Sequence, residues 1–496
     1  MSTPAHTNEE TPGKGLSYAA RRIRAAVRSR LRTRGMRELA AQLRIAGPLV
    51  LASLVNMGMS ITDVIMMGWI GPVALAAGAV ASDFYSLVYY LCAGVIGAVS
   101  AVVSQARGSR QHRLIRRMVQ QGFWIAWILA LPGAITVWQA PKILALIGVE
   151  HAVISAAGGY AAMMAVTLVP MLGVAVWRQL LAAFADTRSI FRVTLVTLGL
   201  NAAGNYVFMF GKLGLPEMGL AGAGLSSALC AAFMFSALCF YVLRHPDYSR
   251  YRLLKGRLKP DWPRLRELFR VGFPIGISSL GEVGVYLLST AVIGIFGTAA
   301  LAAHAVALRM AGVLYAFPIG LSQAATVRVG LAAGAGDVGG RSQAMRTALG
   351  TAAAAGLLAF LLVVPAREFV ATLFLKANAE ASPVIAQAAT LLFILGAMQI
   401  FEYVGTVANG ALRGVKDTRV PMWISVSAYW GIAGAVGLGL GFGLGQQAFG
   451  IWIGLATGAI AFSVMLVGRL RRHGFRIGQQ NGSVSGSAYA AGVAKA

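Results

Sequence analysis

The stretch from Pro48 to Tyr90, "PLVLASLVNMGMSITDVIMMGWIGPVALAAGAVASDFYSLVYY", has a similar counterpart later in the chain. A shift of 226 residues places it without a gap on Pro274 to Ala316, "PIGISSLGEVGVYLLSTAVIGIFGTAALAAHAVALRMAGVLYA". Prolines and glycines coincide, and "LAAGAVA" meets "LAAHAVA". A second match, "FADTRSIF" (184–191) on "VKDTRVPM" (415–422), has an offset of 231 residues. Because the two matches lie in order along the chain, they indicate a duplicated unit.

The composition is that of a protein with many membrane spans. Of 496 residues, 57% are hydrophobic and 12% charged, and the mean hydropathy is +0.69, so the apolar surface exceeds what one soluble core can bury. A spanning helix needs about 20 mostly apolar residues. Since open sheets cannot satisfy their backbone in lipid, we expect an all-α bundle. Twelve segments qualify: 46–70, 73–104, 118–140, 152–176, 191–211, 219–243, 268–296, 299–327, 345–366, 383–410, 420–443 and 447–468.

The repeat divides these twelve spans into two lobes of six. We predict an N-lobe over 46–243 and a C-lobe over 268–470, joined by a cytoplasmic linker (244–267) and flanked by tails (1–45 and 471–496). An even number of spans separates equivalent positions, so both lobes have one orientation and are related by a pseudo-twofold axis along the membrane normal. Parallel repeats of this kind are a transporter architecture, with the substrate site between the halves.

The basic residues behind the net charge of +26 are distributed according to the predicted topology. With the N-terminus inside, 38 of the 43 Lys and Arg residues fall in the tails and in alternate loops. This asymmetry is the positive-inside pattern, and it argues against nucleic-acid binding. No cleavable signal peptide is visible. We therefore expect a multi-pass protein of the bacterial cytoplasmic membrane with both termini in the cytoplasm.

Cys92, Cys230 and Cys239 fall inside predicted spans without C-x-x-C spacing or a histidine cluster. They indicate neither a disulfide framework nor a zinc site.

Four acidic residues, Asp63, Asp83, Glu282 and Glu402, lie within predicted spans. A charge at mid-bilayer costs about 2.5 to 3.5 kcal/mol, so each needs polar neighbours, a cation or a proton. At 100° per residue, three of them fall on polar stripes. The stripes, with an uncharged one on the fifth helix, are Ser53/Asn56/Ser60/Asp63, Thr194/Thr197/Asn201/Asn205, Ser278/Ser279/Glu282/Tyr286/Ser289 and Gln399/Glu402/Tyr403/Thr406/Asn409.

Helix-to-helix hydrogen bonding is the simpler interpretation of the Ser and Thr residues. The carboxylates favour a site where a proton, Na⁺ or a cationic substrate competes.

These residues resemble the multidrug and toxic compound extrusion (MATE) transporters of the NorM-like branch. The resemblance covers about residues 40–475 and rests on four ordered stretches: "PLVLASLVNMGMSITDVIMMGWIG", "GLNAAGNYVFMFGKLGLPEMGLAGAG", "GEVGVYLLSTAVIGIFGTAALAAHAVALR" and "FEYVGTVANGALRGVKDT". It implies a monomeric antiporter that exports small cationic amphipathic compounds in exchange for Na⁺ or H⁺, without another cofactor and without enzymatic activity.

The resemblance also assigns site residues. Glu282 and Glu402 match the acidic positions of a C-lobe cation site, with Na⁺ as a candidate ligand. Asp63, with Asn201 and Asn205, matches an N-lobe site that is protonated in some relatives. Asn205 stands where some relatives have a second Asp, which weakens the case for proton coupling through an acid pair there.

Further cavity or gating candidates are Pro48, where the first helix can bend, and Tyr286, Gln399, Tyr403, Asp83 and Arg309. Met398 replaces a Tyr found in some relatives, which weakens the case for the usual Na⁺ site.

Arg309 is the clearest departure, because similar sequences have an uncharged polar residue there. In the repeat, Arg309 is the partner of Asp83. Two hypotheses follow: a counter-ion for Glu282 or Glu402, or one half of an inter-lobe pair with Asp83.

Three other functions agree less well with the sequence. A lipid-linked precursor flippase of the same superfamily would need several basic residues in its cavity, and Arg309 is the one candidate. An intramembrane enzyme would need a nucleophile with a base or a metal cluster, and no such motif occurs. A scaffold or receptor would have no evident need for carboxylates on three polar stripes.

Overall fold

The helices follow the predicted spans closely. The computed structural model describes residues 13–146, 148, 150–253, 259–374 and 382–493, with side chains described over the same ranges except 13–33, 374, 382 and 473–493. Within these ranges the chain contains no strand. The predicted tails therefore lie largely outside the described side chains.

The twelve long helices of the described residues are α1 (Gly13–Ile70), α2 (Pro72–Gly108), α3 (His112–Trp138), α4 (His151–Ala183), α5 (Thr187–Met209), α6 (Gly219–Arg244), α7 (Trp262–Gly294), α8 (Thr298–Gly334), α9 (Val338–Val363), α10 (Ser382–Gly414), α11 (Arg419–Gly443) and α12 (Gln447–Val493).

Among the described residues, eleven of these helices are long and apolar enough to cross a membrane. The twelfth, α5, has 23 residues and carries the Thr and Asn stripe, which lowers its hydropathy. Large apolar side chains such as Leu131 and Leu358 are 68% and 57% exposed on the bundle surface, as expected for lipid-facing positions. The predicted all-α fold of twelve helices in two lobes is confirmed.

The duplication is visible in backbone conformation. Gly71 and Gly297, which are equivalent in the repeat, have φ values of 147° and 107° and cap the N-termini of α2 and α8. Ala185 and Lys416 are equivalent in the second match, and each has a φ of 61°. Positive φ is uncommon for residues with a side chain. Each lobe therefore keeps the same two chain reversals.

The lobes contact each other at the arginine-rich end of the bundle. There α2 crosses α7, and a Cβ on Gly94 would lie 2.7 Å from the Cα of Gly276. The end of α2 packs as closely on α8, since a Cβ on Gly108 would lie 2.1 Å from the carbonyl oxygen of Leu331. Glycine is required at these crossings because a side chain would separate the helices.

Polar contacts close the same end. Glu38 on α1 accepts two hydrogen bonds from the guanidinium of Arg328 on α8. Gln42 on α1 donates to the carbonyl oxygen of Ala344 on α9 at 2.9 Å. Because Glu38 and Gln42 are buried, these contacts are shielded from water and join the two lobes.

Candidate functional site

The two predicted C-lobe carboxylates lie on one cavity. It has a volume of about 240 Å³ and is enclosed by α7, α8 and α10. Glu282 on α7 and Glu402 on α10 are 5% and 3% exposed. The i, i+4 and i+7 spacing of each polar stripe turns its acid inward, as the sequence predicts. The lining residues are Glu282, Val283, Tyr286, Leu287, Leu308, Ala311, Gly312, Tyr315, Gln399 and Glu402.

Tyrosine hydroxyls hold both carboxylates. Tyr315 on α8 donates to Oε2 of Glu282 at 2.8 Å, and Tyr429 on α11 donates to Oε2 of Glu402 at 2.8 Å. The Ser278 hydroxyl lies 3.4 Å from Oε1 of Glu282. Hydrogen bonds to a carboxylate are about twice as strong as those between neutral groups, so each acid is fixed in orientation.

A widened segment of α11 places one of these tyrosines. Residues Ser427–Ala433 form a π-helix, a conformation that often occurs at functional sites. From this segment Tyr429 reaches Glu402, while the indole nitrogen of Trp430 donates to the carbonyl oxygen of Gly281 at 3.1 Å. The segment therefore ties α11 both to α10 and to the helix that carries Glu282.

The positive charge that acts on Glu282 is that of Arg413, near the end of α10, although the two side chains form no salt bridge in the described part of the chain. Its Nε atom is buried and, within the described part of the chain, has no hydrogen-bond partner. The sequence places Arg413 in a loop, because the apolar stretch ends at residue 410, but α10 continues to Gly414. With both glutamates ionised, this group of two glutamates and one arginine carries a net charge of −1.

The N-lobe site is a different arrangement. Asp63 on α1 accepts hydrogen bonds through Oδ1 from the side-chain amides of Asn201 at 3.1 Å and Asn205 at 2.5 Å, both on α5. The carbonyl oxygens of both amides are buried and, among the described residues, unpartnered. The structure thus brings the three predicted residues together and leaves two acceptor atoms available to a proton donor or a cation.

The structure does not favour the counter-ion hypothesis for Arg309. Arg309 is exposed, and over the described ranges it forms no salt bridge with Glu282 or Glu402. Its charge acts instead on Asp83, which is also exposed and lies beyond salt-bridge distance. The geometry favours the other hypothesis, an electrostatic pairing between the lobes in the half away from the arginine-rich end.

Some of the other predicted residues line the cavity, and the rest lie in the helices or join them. Tyr286 and Gln399 line the cavity, and Pro48 lies inside α1. Tyr403 donates its hydroxyl to the carbonyl oxygen of Leu314 at 2.8 Å, so it joins α10 to α8 and does not line the cavity. His304 on α8 is buried, and its Nε2 and Nδ1 atoms form hydrogen bonds with Thr290 and Trp452, so it is a structural residue.

Comparison with known proteins identifies the family. The sequence model of the MatE family matches residues 48–207 and 274–438, and the two matches begin at the equivalent prolines of the repeat. The chain belongs to the MatE family.

Two bacterial proteins show how similar this MatE chain is to named relatives. It is 36% identical over 440 residues to a probable multidrug resistance protein NorM of Mesorhizobium japonicum, covering 88% of this chain and 94% of the relative. The corresponding protein of Pseudomonas putida is 35% identical over 430 residues, covering 86% and 93%.

Solved MATE structures share the fold. The crystal structure of the eukaryotic MATE transporter AtDTX14 superposes with a TM-score of 0.81 at 21% identity, covering 90% of this chain and 100% of that one. An outward-facing multidrug resistance MATE family transporter gives a TM-score of 0.80 at 18% identity, covering 88% and 96%. At these identities the likeness concerns the fold.

The sequence did not predict a role for three residues near the C-lobe glutamates of this MatE chain: Tyr315, Tyr429 and Arg413. One signal was available for Tyr315, because the 226-residue offset aligns it with Tyr89. For Tyr429 and Arg413 there was none, since a π-helical segment and the end of a helix are not visible in hydropathy.

The polar stripes serve partly as framework. Thr194 and Thr197 donate to carbonyl oxygens one turn back in their own helix. Asn409 and Ser425 each contact Ser278 at 3.4 Å, which joins α10 and α11 to α7 next to Glu282. The helix-to-helix interpretation therefore holds for Ser278 and Asn409, whereas Thr194 and Thr197 bond within their own helix, and the two glutamates line the cavity.

Proposed function

We propose that this MatE protein exports small cationic amphipathic compounds across the bacterial cytoplasmic membrane in exchange for H⁺ or Na⁺. The observation that carries this proposal is the pair of buried glutamates on one cavity, which together with Arg413 have a net charge of −1 when both glutamates are ionised. One monovalent cation neutralises such a site. A proton, Na⁺ and an organic cation then compete for it, which is the requirement for exchange.

The cavity lining suits an amphipathic cation. Most of its side chains are apolar or aromatic, including Leu287, Leu308 and Tyr286, and the charged groups are confined to the two glutamates. Apolar walls with a few placed polar groups are typical of small-molecule sites. An aromatic ring beside a carboxylate also favours an organic cation.

Alternating access is the second part of the proposal. By the positive-inside rule the arginine-rich end is cytoplasmic, with both termini there. The contacts of Glu38, Gln42 and Gly108 join the lobes at this end, so the state described has the properties of an outward-facing one. Rocking of the two lobes would break these contacts and expose the site inside. The limits 46–243 and 268–470 for the rocking units belong to this proposal, as does a monomeric state.

The flippase alternative is less favoured. A pyrophosphate needs a basic cavity, whereas the C-lobe cavity is lined by two carboxylates and no basic residue. An enzymatic role is not proposed, since members of this family act as transport proteins.

Accumulation of ethidium in everted vesicles, with Na⁺ and pH gradients imposed separately, tests the proposal. We expect one of the two gradients to drive ethidium movement, and Glu282→Gln and Glu402→Gln to abolish it. Glu217→Gln is the matched control, because Glu217 is an exposed acid away from the cavity and makes none of its contacts. Full transport by both cavity variants, inserted at normal levels, would contradict the coupling role.

A further inference from the structure

A groove on the outside of the C-lobe has the features of a lipid site. It lies between the arginine-rich ends of α7 and α11 and has a volume of about 1050 Å³. Its charged lining consists of Arg266 and Arg270 on α7, Arg419 on α11, and Glu267. The groove is separate from the glutamate cavity, with which it shares no lining residue.

The groove is positively charged. In the described ranges, its three arginines form no salt bridge. Its one acid, Glu267, is already held by Lys416 at 2.8 Å and Arg264 at 3.1 Å. Three guanidinium groups in one groove are thus left to bind an external anion, and the planar fork of arginine suits phosphate oxygens.

The backbone adds to this field. Both α7 and α11 begin at the groove, at Trp262 and Arg419. A helix N-terminus carries a partial positive charge and unpaired N–H groups, so the two helix ends favour an anion at the same place as the arginines.

The other half of the groove is apolar and open. Phe269 and Phe273 are 41% and 45% exposed, and their rings stack with centroids 5.5 Å apart. Trp423 on α11 is 66% exposed. These side chains lie within helices that cross the membrane, so the surrounding medium is lipid acyl chain. Tryptophan at the end of a span is typical of the membrane interface.

We propose that this groove binds one anionic glycerophospholipid of the phosphatidylglycerol class, from the leaflet that faces the arginine-rich end. The phosphate lies among Arg266, Arg270 and Arg419, and an acyl chain lies along Phe269, Phe273 and Trp423. Charge complementarity selects the anionic lipid over a zwitterionic one, because no carboxylate in the groove is free to hold a choline or ethanolamine head group.

Native mass spectrometry of the purified full-length chain tests this site without a transport assay. Phosphatidylglycerol or phosphatidylcholine is added in detergent, and the retained lipid adducts are counted. We expect one phosphatidylglycerol to be retained and phosphatidylcholine to be lost. The triple variant R266Q/R270Q/R419Q should bind phosphatidylglycerol about 100-fold more weakly, at roughly fivefold per basic residue.

The matched control is R113Q/R117Q/R346Q, which removes three exposed arginines from the same end of the bundle but outside the groove. It should retain the lipid. Equal loss in both triple variants, equal retention of the two lipids, or equally tight binding of glycerol phosphate without acyl chains would each overturn the proposal. A dimer that the groove variant dissociates would assign the groove to a second copy and would also overturn it. Unfolding temperatures measured in lipid-free detergent confirm that both variants are folded.

Discussion

The two lobes descend from one six-helix unit, yet they place their acids differently. Glu282 of the C-lobe is equivalent to Asn56 of the N-lobe, and Asp63 of the N-lobe is equivalent to Ser289 of the C-lobe. The two positions are seven residues apart, which is two turns along the same helix face. Both lobes therefore have the same polar helix face, but the acid lies two turns further along this face in the N-lobe than in the C-lobe.

The surroundings of the acids have diverged further. Asp63 is held by two neutral amides, whereas Glu282 is held by a tyrosine hydroxyl and by the charge of Arg413, with Glu402 on the same cavity. The N-lobe equivalent of Arg413 is Ala182. A lone carboxyl among amides suits protonation, while two carboxylates beside one arginine suit retention of a cation. We therefore propose that the two lobes perform different parts of the exchange.

Removing one acid from each lobe should give the largest difference. Glu282→Gln should lower the affinity for ethidium and for the coupling ion by about 100-fold, because the cavity loses the negative charge that a cation needs while the positive charge of Arg413 remains. Asp63→Asn should change binding less than threefold while slowing pH-driven transport. Isothermal titration with ethidium and Na⁺ measures the first effect. Equal losses of affinity in the two variants would show that the lobes do not differ in this way.

Replacing the arginine makes the C-lobe more strongly negative. Arg413→Gln should tighten cation binding by about 5- to 150-fold, the range of ordinary coupling free energies, because a competing positive charge is removed. Transport should slow, since the cation leaves less readily. Binding and efflux measured on the same preparation separate the two effects. Weaker cation binding by this variant, with its unfolding temperature unchanged, would contradict the role given to Arg413.

Removing the tyrosine hydroxyls tests what orients the acids. Tyr315→Phe and Tyr429→Phe should each weaken cation binding by about tenfold, because a hydrogen bond to a charged group contributes about 1.5 to 3 kcal/mol. The matched control is Tyr403→Phe, whose hydroxyl donates to a backbone carbonyl and not to an acid. The control should lower the unfolding temperature and leave ethidium affinity unchanged. If all three variants bind alike, the hydroxyls of Tyr315 and Tyr429 do not set the affinity.

The smallest effect is expected from Arg309→Asn. Arg309 is exposed and acts on Asp83 across the lobes, so the substitution should change the ion dependence of efflux less than twofold. A shift of tenfold or more in the Na⁺ or proton dependence would restore Arg309 as a counter-ion of the glutamates. The comparison with Arg413→Gln is direct, because both changes remove one guanidinium from the C-lobe.

The sequence by itself determined the helices, the duplication and the acids. Hydropathy and the 3.6-residue period suffice because a membrane has no water to satisfy a backbone or a charge, so every polar stripe must turn inward. The polar stripes could be predicted on this ground, whereas grouping Asp63 with Asn201 and Asn205, and Glu282 with Glu402, followed from the family resemblance. The two repeated chain reversals also follow from matching positions in the two halves.

Only the tertiary structure decided which groups act on the acids. Tyr429 donates to Glu402 because α11 widens into a π-helix, and the charge of Arg413 acts on Glu282, beyond salt-bridge distance, because α10 runs past its apolar stretch. Arg309 fails to do so because it lies on an exposed part of α8. Such contacts depend on the axial position and the rotation of each helix relative to its neighbours. Packing between helices fixes both quantities, and the 3.6-residue period within one helix does not.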